Sequence, residues 1–322
     1  MKWIVTGAGG YIGAHLLDSL LVKGQQILPL VGKSETSASR LHFLNVNGMA
    51  VDLSNRKTLL EIFQNFRPDI VVHLASLKSP EESNRKPHLY LSRNLESLAN
   101  VFNAASESGA RIFINASSSS IYGDLDSKSI KETDEGEPIS AYGLSKRSGE
   151  IFLDLNSTSE MQTCSLRFFN VIGAKKFELR ERATFHLVPA TISRILSGCH
   201  PVIYGHGLPT KDGTPLRDYI HVSDSVRVIE DVVSFLSKEA NSRFKQSHLK
   251  LNVGSGIGTS VLEIVNTIQN LMESKLEPIL KSARDGDPIM SIADISAIKS
   301  IIGFEPRFQI EEMIKSCLAK NS

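Results

Sequence analysis

Cysteine is scarce in this chain: only Cys164, Cys199 and Cys317 occur among 322 residues, and they stand far apart. An odd number at such separations argues against a disulfide framework. No pair has metal-ligand spacing, so no metal site is expected and the three are read as packing residues in a reducing compartment. Also missing is any apolar run near the roughly 20 residues that span a bilayer. The opening "MKWIVTGAGG" passes from a short apolar run straight into glycines with no cleavage site, so no export is expected and a cytoplasmic location is. Charge of one sign is lacking too. A net charge of +1 with interleaved acids and bases gives no field for nucleic acid or a membrane surface, which leaves small anions as ligands. There is no linker, repeat or low-complexity segment.

What is present is a chain with 41% hydrophobic residues, enough for one large or two moderate domains. In the first half, "KWIVTG", "QILPLV", "MAVDL", "DIVVHLAS" and "RIFINASS" read as strands separated by helical patterns. Runs such as Ile70-Val71-Val72 are apolar at successive positions, as expected when helices cover both faces of a parallel sheet. A doubly wound α/β fold follows. The second half mixes helices with short strands ("VPATISRILSG", "RDYIHV", "LKLNVGSG"), and "KSETSASR" at 33 to 40 is read as a polar loop.

"GAGGYIG" lies between the first strand and the first helix. Gly7 permits the tight turn, Gly10 lets a pyrophosphate approach the backbone, and Gly13 allows close packing of helix on sheet. The helix N-terminus, with Tyr11 and Ile12, then faces the anion. This pattern predicts a Rossmann-type dinucleotide site. A fold of this kind that prefers NAD usually carries an acid at the end of its second strand, but here the place reads Val31-Gly32-Lys33-Ser34. Lys33 and Arg40 are candidates to meet a 2′-phosphate instead, which leaves NAD and NADP both open, and Asp52 is a candidate adenine contact.

In "AYGLSK", Tyr142 and Lys146 stand four apart, on one face of a helix. "NASSSSIYG" ends the fifth strand, at the carboxyl edge where such sheets bind ligands. Glycine turn, serine-bearing strand end and Tyr-x-x-x-Lys, in that order, resemble an extended short-chain dehydrogenase/reductase. The segments "SLRFFNVIGA", "FHLVPATISRILSG", "HPVIYG", "PTKDGTPLRDYIHVSD", "LNVGSGIGTSVLEIV" and "ARDGD" resemble consecutive parts of UDP-hexose 4-epimerases, over nearly the whole chain.

The resemblance implies a doubly wound nucleotide-binding part over residues 1–170, with about 218–254 returning to it, and a smaller mixed α/β substrate part over 171–322. It makes Tyr142 the base on a sugar hydroxyl, and Ser118 a second hydrogen bond to that hydroxyl. A tyrosine with a pKa of about 10 is too protonated for this at neutral pH, so Lys146 and the positive nicotinamide ring are expected to favour the phenolate. Leu53, Leu74, Ala75, Lys78 and Asn94 fall along the cofactor. Asn170, His186, Leu187, Val202, Tyr204, Arg217, Arg284 and Asp287 fall along a UDP-sugar, the arginines on its diphosphate. Ser291 takes the place of a bulky tyrosine usual in glucose- and galactose-restricted relatives, which leaves space for an N-acetyl group at C2. The Asp-Glu pair by which related 4,6-dehydratases eliminate water is replaced by Ser119 and Ser120, neither of which is a carboxylate acid or base. The expected activity is therefore nucleotide-sugar 4-epimerisation with bound NAD. An NADP-dependent 4-ketoreductase and a non-catalytic dinucleotide sensor are the alternatives. Family analogy also implies a homodimer through helices near 88–108 and 142–155.

Overall fold

Strands alternate with helices from the second residue onward in the computed structural model, which describes residues 1–125, 129–158, 160–239, 248–283 and 287–318. The strands are β1 (Lys2–Thr6), β2 (Gln26–Val31), β3 (Met49–Ala50), β4 (Ile70–His73), β5 (Ile112–Ser118), β6 (Gln162–Phe168), β7 (Asn170–Ile172), β8 (Val202–Tyr204), β9 (Leu216–His221), β10 (Leu249–Val253), β11 (Gly258–Ser260), β12 (Ile279–Lys281) and β13 (Met290–Ser291). The helices that matter here are α1 (Tyr11–Val22), α2 (Glu35–Phe43), α3 (Arg56–Phe66), α4 (Pro80–Arg85), α5 (Pro87–Glu107), α6 (Ala141–Asn156), α7 (Leu187–Leu196), α8 (Val222–Glu239) and α9 (Val261–Leu271).

Seven strands form one parallel sheet in the order β10-β6-β5-β4-β1-β2-β3. The order reverses at β1 and β4, so a crevice opens there at the carboxyl edge, the place where such sheets bind ligands. Both faces are covered. Trp3 and Val5 pack with Leu16, Leu17 and the α8 residues Val228, Ile229 and Val232, while Ile4, between them, packs on the other side with Leu59, Phe63, Val101 and Phe113. Phe113 meets Phe102 edge to face at 5.4 Å. Truncating Phe113 to alanine is expected to cost about 3–5 kcal/mol.

The later strands build the other wall of the crevice. β9 pairs with β7 and β13 in parallel and with β11 antiparallel, and β8 pairs with β12. A separate apolar cluster of Ile172, Val188, Tyr219, Ile264 and Ile268 holds α7 and α9 against β9. Among the described residues, no helix is long and apolar enough to cross a membrane.

Two sequence expectations are corrected. "KSETSASR" is mostly helical, in α2, because Arg40 and Leu41 are buried and anchor it against the glycine turn and the core. Such tertiary contacts override a polar, weakly helix-forming composition. Of the three cysteines, Cys164 is buried and Cys317 is half-buried, but Cys199 is exposed and is not a core packing residue.

Candidate active site

The site begins where β1 runs into α1. Gly7 has φ +66°, and a Cβ there would meet the backbone of Leu74 and Ala75 at 2.8–2.9 Å, so only glycine brings the turn so close to the end of β4. Gly10 caps α1 without a side-chain hydrogen bond, leaving the first N–H groups of the helix, from Tyr11 and Ile12, free for an anion. The same helix packs over the turn through Gly13, where a Cβ would lie 2.4 Å from Gly7 O. Beside the turn, a hollow is lined by Asp52, Leu53, Ser54, Ala75, Leu77, Arg93 and Asn94, with Leu74 immediately before it in the chain. A turn that only glycine fits, an uncapped helix N-terminus and an adjoining half-apolar hollow suit a dinucleotide.

Individual side chains modify the expectations. Asp52 is exposed and accepts hydrogen bonds from Ser54 N and Oγ. Asn94 spends its amide on protein, accepting from Leu77 N at 2.9 Å and donating to Leu77 O and to Ser145 Oγ. Lys33 is exposed at the tip after β2. Arg40 does not reach outward to a 2′-phosphate. Its guanidinium is buried and donates to Gly9 O at 3.4 Å and Arg180 O at 2.6 Å.

Three elements bring Ser118, Tyr142 and Lys146 together. Ser118 is the last residue of β5. Ser140 caps α6 by accepting from Gly143 N at 3.0 Å, and Ser83 accepts from Tyr142 N at 3.0 Å. Gly143 is the enabling residue, since a Cβ there would lie 2.3 Å from Ser120 O. Its lack of a side chain lets the first turn of α6 lie directly on the turn after β5. Lys146 Nζ then donates to Ala116 O at 2.8 Å and lies 5.7 Å from the Tyr142 ring centre.

Burial dominates the electrostatics of the chain's own groups here. Burial pushes Tyr142 up to about 12, against a hydrogen bond from Ser118 that favours the phenolate. Burial also draws Lys146 down to about 8, opposed by the charge of Glu150. Among the chain's own groups burial therefore favours the protonated phenol, and the expected phenolate rests on the nicotinamide charge as well as on Lys146. Lys146 is a poised cation whose charge depends on Glu150, one helical turn away. The Glu150 carboxylate is itself buried and takes hydrogen bonds from Arg167 Nε and, at 2.7 Å, from Nη2. Arg167 Nη1 reaches the Tyr122 hydroxyl and Glu132 O.

Across the crevice, Asn170 begins β7 and donates to Asp218 O at 3.0 Å. His186 caps α7, with Leu187 as its first residue. Val202 and Tyr204 flank buried Ile203 on β8, so they share the opposite face. Arg217 lies on β9 in register with Ser291 on β13. It donates to Leu216 O and Ile289 O, and burial lowers its pKa, with Asp287 opposing. Ser291 is buried and Asp287 is exposed. Arg284 lies outside the described residues.

Sequence reasoning passed over Glu181. It lies in "FELRERATFHL" among alternating charges with no motif to single it out, yet its carboxylate is nearly buried, with Lys78 Nζ at 2.5 Å, Arg40 Nη2 at 3.7 Å and His186 Nε2 at 4.0 Å. Burial raises its pKa, but Lys78 and the Ala183 N–H outweigh burial and hold it at about 2. Glu150 on α6 and Arg167 on β6 escape the sequence too, since spacing along a helix or a strand does not reveal depth.

Comparison with known proteins gives a consistent result. Residues 3–244 match the model of the NAD dependent epimerase/dehydratase family. The chain is 30% identical to the UDP-glucose 4-epimerase of Mycoplasma pneumoniae, over 97% of this chain and 94% of that protein. It is 32% identical to the UDP-glucose 4-epimerase of Neisseria meningitidis serogroup B, over 98% and 95%. Its structure resembles that of the UDP-glucose 4-epimerase from Bifidobacterium longum in complex with NAD+ and UDP, with a TM-score of 0.88, 26% identity, and 99% and 97% of the two chains covered.

Proposed function

The chain belongs to the NAD dependent epimerase/dehydratase family, and from that premise we propose that it is a nucleotide-sugar 4-epimerase that works with bound NAD on a UDP-hexose. The observation that carries this reading is the convergence of Ser118, Tyr142 and Lys146 at the carboxyl edge of the sheet that also bears the glycine turn, with serines at 119 and 120 in place of an eliminating carboxylate pair.

Gly7, Gly10, Tyr11, Ile12 and Gly13 would hold the diphosphate of NAD through backbone N–H groups and close approach, and the hollow at Asp52, Leu53 and Ala75 would hold its adenosine. When bound, NAD supplies a reversible hydride acceptor for C4 of the sugar. Tyr142 takes the proton from the C4 hydroxyl and returns it after the 4-keto sugar has turned its other face. Ser118 hydrogen-bonds the same hydroxyl and fixes its direction. Lys146 holds a positive charge near the phenol, lowering the cost of its ionisation. Arg217 and Arg284 would neutralise the diphosphate of the substrate, Asp287 would bind its ribose, and Asn170, His186, Leu187, Val202 and Tyr204 would enclose its nucleotide.

Two finer points belong to the same reading. Ser291, buried beside Arg217 in register, leaves room for an N-acetyl group at C2. Leu89 on α5 and Leu144, Ile151 and Leu155 on α6 are exposed, and the last three recur at helical spacing, forming an apolar stripe suited to a homodimer. Light scattering that shows a monomer would refute the dimer. We also assign the protein to the cytoplasm, where free thiols persist.

The test is incubation of the purified protein, without added cofactor, with UDP-glucose and separately with UDP-N-acetylglucosamine, following the sugar anomeric signals by NMR. Appearance of the galacto epimer is expected. Silence with both, with turnover only when NADPH and a 4-keto nucleotide sugar are supplied, would favour the 4-ketoreductase instead. Val31, in the place of the usual acid, is the observation on that side.

A further inference from the structure

Lys78 follows β4 on the dinucleotide side of the crevice, and His186 caps α7 on the substrate side. Lys78 Nζ is bound to one carboxylate, that of Glu181, and His186, which burial keeps neutral, lies 4.0 Å from it. Its Oε1 also accepts from Arg182 N at 2.9 Å and Ala183 N at 3.1 Å, which folds the segment leading into α7. That segment is tied back to the glycine turn by Arg40, which donates to Gly9 O and Arg180 O and lies 3.7 Å from Glu181. One nearly buried carboxylate thus joins the loop after β4 to the segment that leads into the substrate helix.

We infer that Glu181 is a positioning residue that couples the two ligand sites: by holding Lys78 to the segment that carries His186 and Leu187, it sets the register of the nucleotide sugar against the dinucleotide. This rests on the reading of the crevice as an epimerase site. The physical reason is saturation. With Lys78 and two backbone N–H groups on its two oxygens, Glu181 has little freedom to follow one wall without the other. A group that orders one site for the other produces a reciprocal coupling of binding.

The experiment compares NAD-loaded wild type with Glu181→Gln, Lys78→Met, the double variant and Glu181→Asp, measuring UDP affinity by calorimetry together with kcat and KM. The expected result is that each single change weakens UDP binding about tenfold and raises KM in proportion, with kcat of Glu181→Gln held within about threefold. The double variant is expected to be no weaker than the worse single one, as residues acting through one contact are non-additive. Glu181→Asp is expected to restore part of the affinity. Unchanged UDP affinity in Glu181→Gln would overturn the inference, as would single effects that multiply in the double variant, or kcat and thermal stability falling together with no partial rescue by Asp. A wild type that turns over no UDP-hexose, yet shows the non-additive binding cycle, would sink the epimerase reading and leave the coupling standing.

Discussion

Replacing Glu150 with glutamine separates two roles of one buried carboxylate. Glu150 pairs with Arg167 at 2.7 Å, with both side chains under a tenth exposed. Removing one partner of such a pair leaves an uncompensated charge at a cost of about 3–5 kcal/mol. Arg167 keeps the Tyr122 hydroxyl and Glu132 O as acceptors, so the low end, about 3 kcal/mol, is expected. At about 1.5 °C per kcal/mol for a chain of 322 residues, Tm should fall by about 4–5 °C.

The second role is electrostatic. Burial holds Lys146 down at about 8, and Glu150 is the charge that opposes it. Side chains one helical turn apart have Cβ atoms about 6 Å from each other. At an effective dielectric of about 20, the lost attraction is at most about 2–3 kcal/mol, or about one to two pKa units. Lys146 acts as a cation and loses activity as it deprotonates. The alkaline limb of kcat against pH should therefore move acidward by that amount in Glu150→Gln, measured from pH 6 to 10 well below the lowered Tm. The double change Glu150→Met, Arg167→Met removes both charges and should recover most of the Tm, with the limb still displaced. A limb that stays put in folded Glu150→Gln, or that returns with the Tm in the double variant, would refute the electrostatic reasoning.

Removing the Tyr142 hydroxyl as Tyr142→Phe should lower kcat by at least about 10²–10⁴, the range for a lost general acid–base group. UDP affinity should stay within about threefold, and wild-type turnover in the Phe variant would dismiss Tyr142 as the base. Ser291→Tyr, which fills the buried position beside Arg217, should abolish turnover of UDP-N-acetylglucosamine and leave UDP-glucose within several-fold. An unchanged ratio of the two rates would show that the space at Ser291 does not face C2.

The parts of the fold that were legible in the sequence are those where a local pattern and a tertiary demand coincide. β1, β2, β4 and β5 fall within the apolar runs read as strands, because a parallel sheet covered on both faces needs apolar residues at every position. "MAVDL" contributes only Met49–Ala50 as strand. As the last strand at that edge of the sheet it has one neighbour, and Asp52 turns the chain by accepting from Ser54 N. α2 resembles a loop in sequence because two buried side chains, Arg40 and Leu41, anchor it rather than a repeating apolar stripe. The candidate cofactor contact at Arg40 failed for the same reason, since composition shows a guanidinium and not the carbonyls of Gly9 and Arg180 that occupy it.

The catalytic pattern shows the limit from the other direction. Tyr142 and Lys146 were visible because helical spacing alone puts them on one face, and Ser118 because a strand end fixes its place. Their protonation states were not visible, because these depend on depth. Burial raises Tyr142 to about 12 and lowers Lys146 to about 8, so the expected ionisation of the phenol needs the nicotinamide charge beside that of Lys146. Residues that spacing does not single out then set the balance. Gly143 lets α6 touch the β5 turn at Ser120, and Glu150, buried against Arg167, supports the charge on Lys146. A motif specifies which groups meet, and the surrounding buried charges specify which proton each one carries. For this reason the deciding measurement on the site is a pH profile of the Glu150 variants.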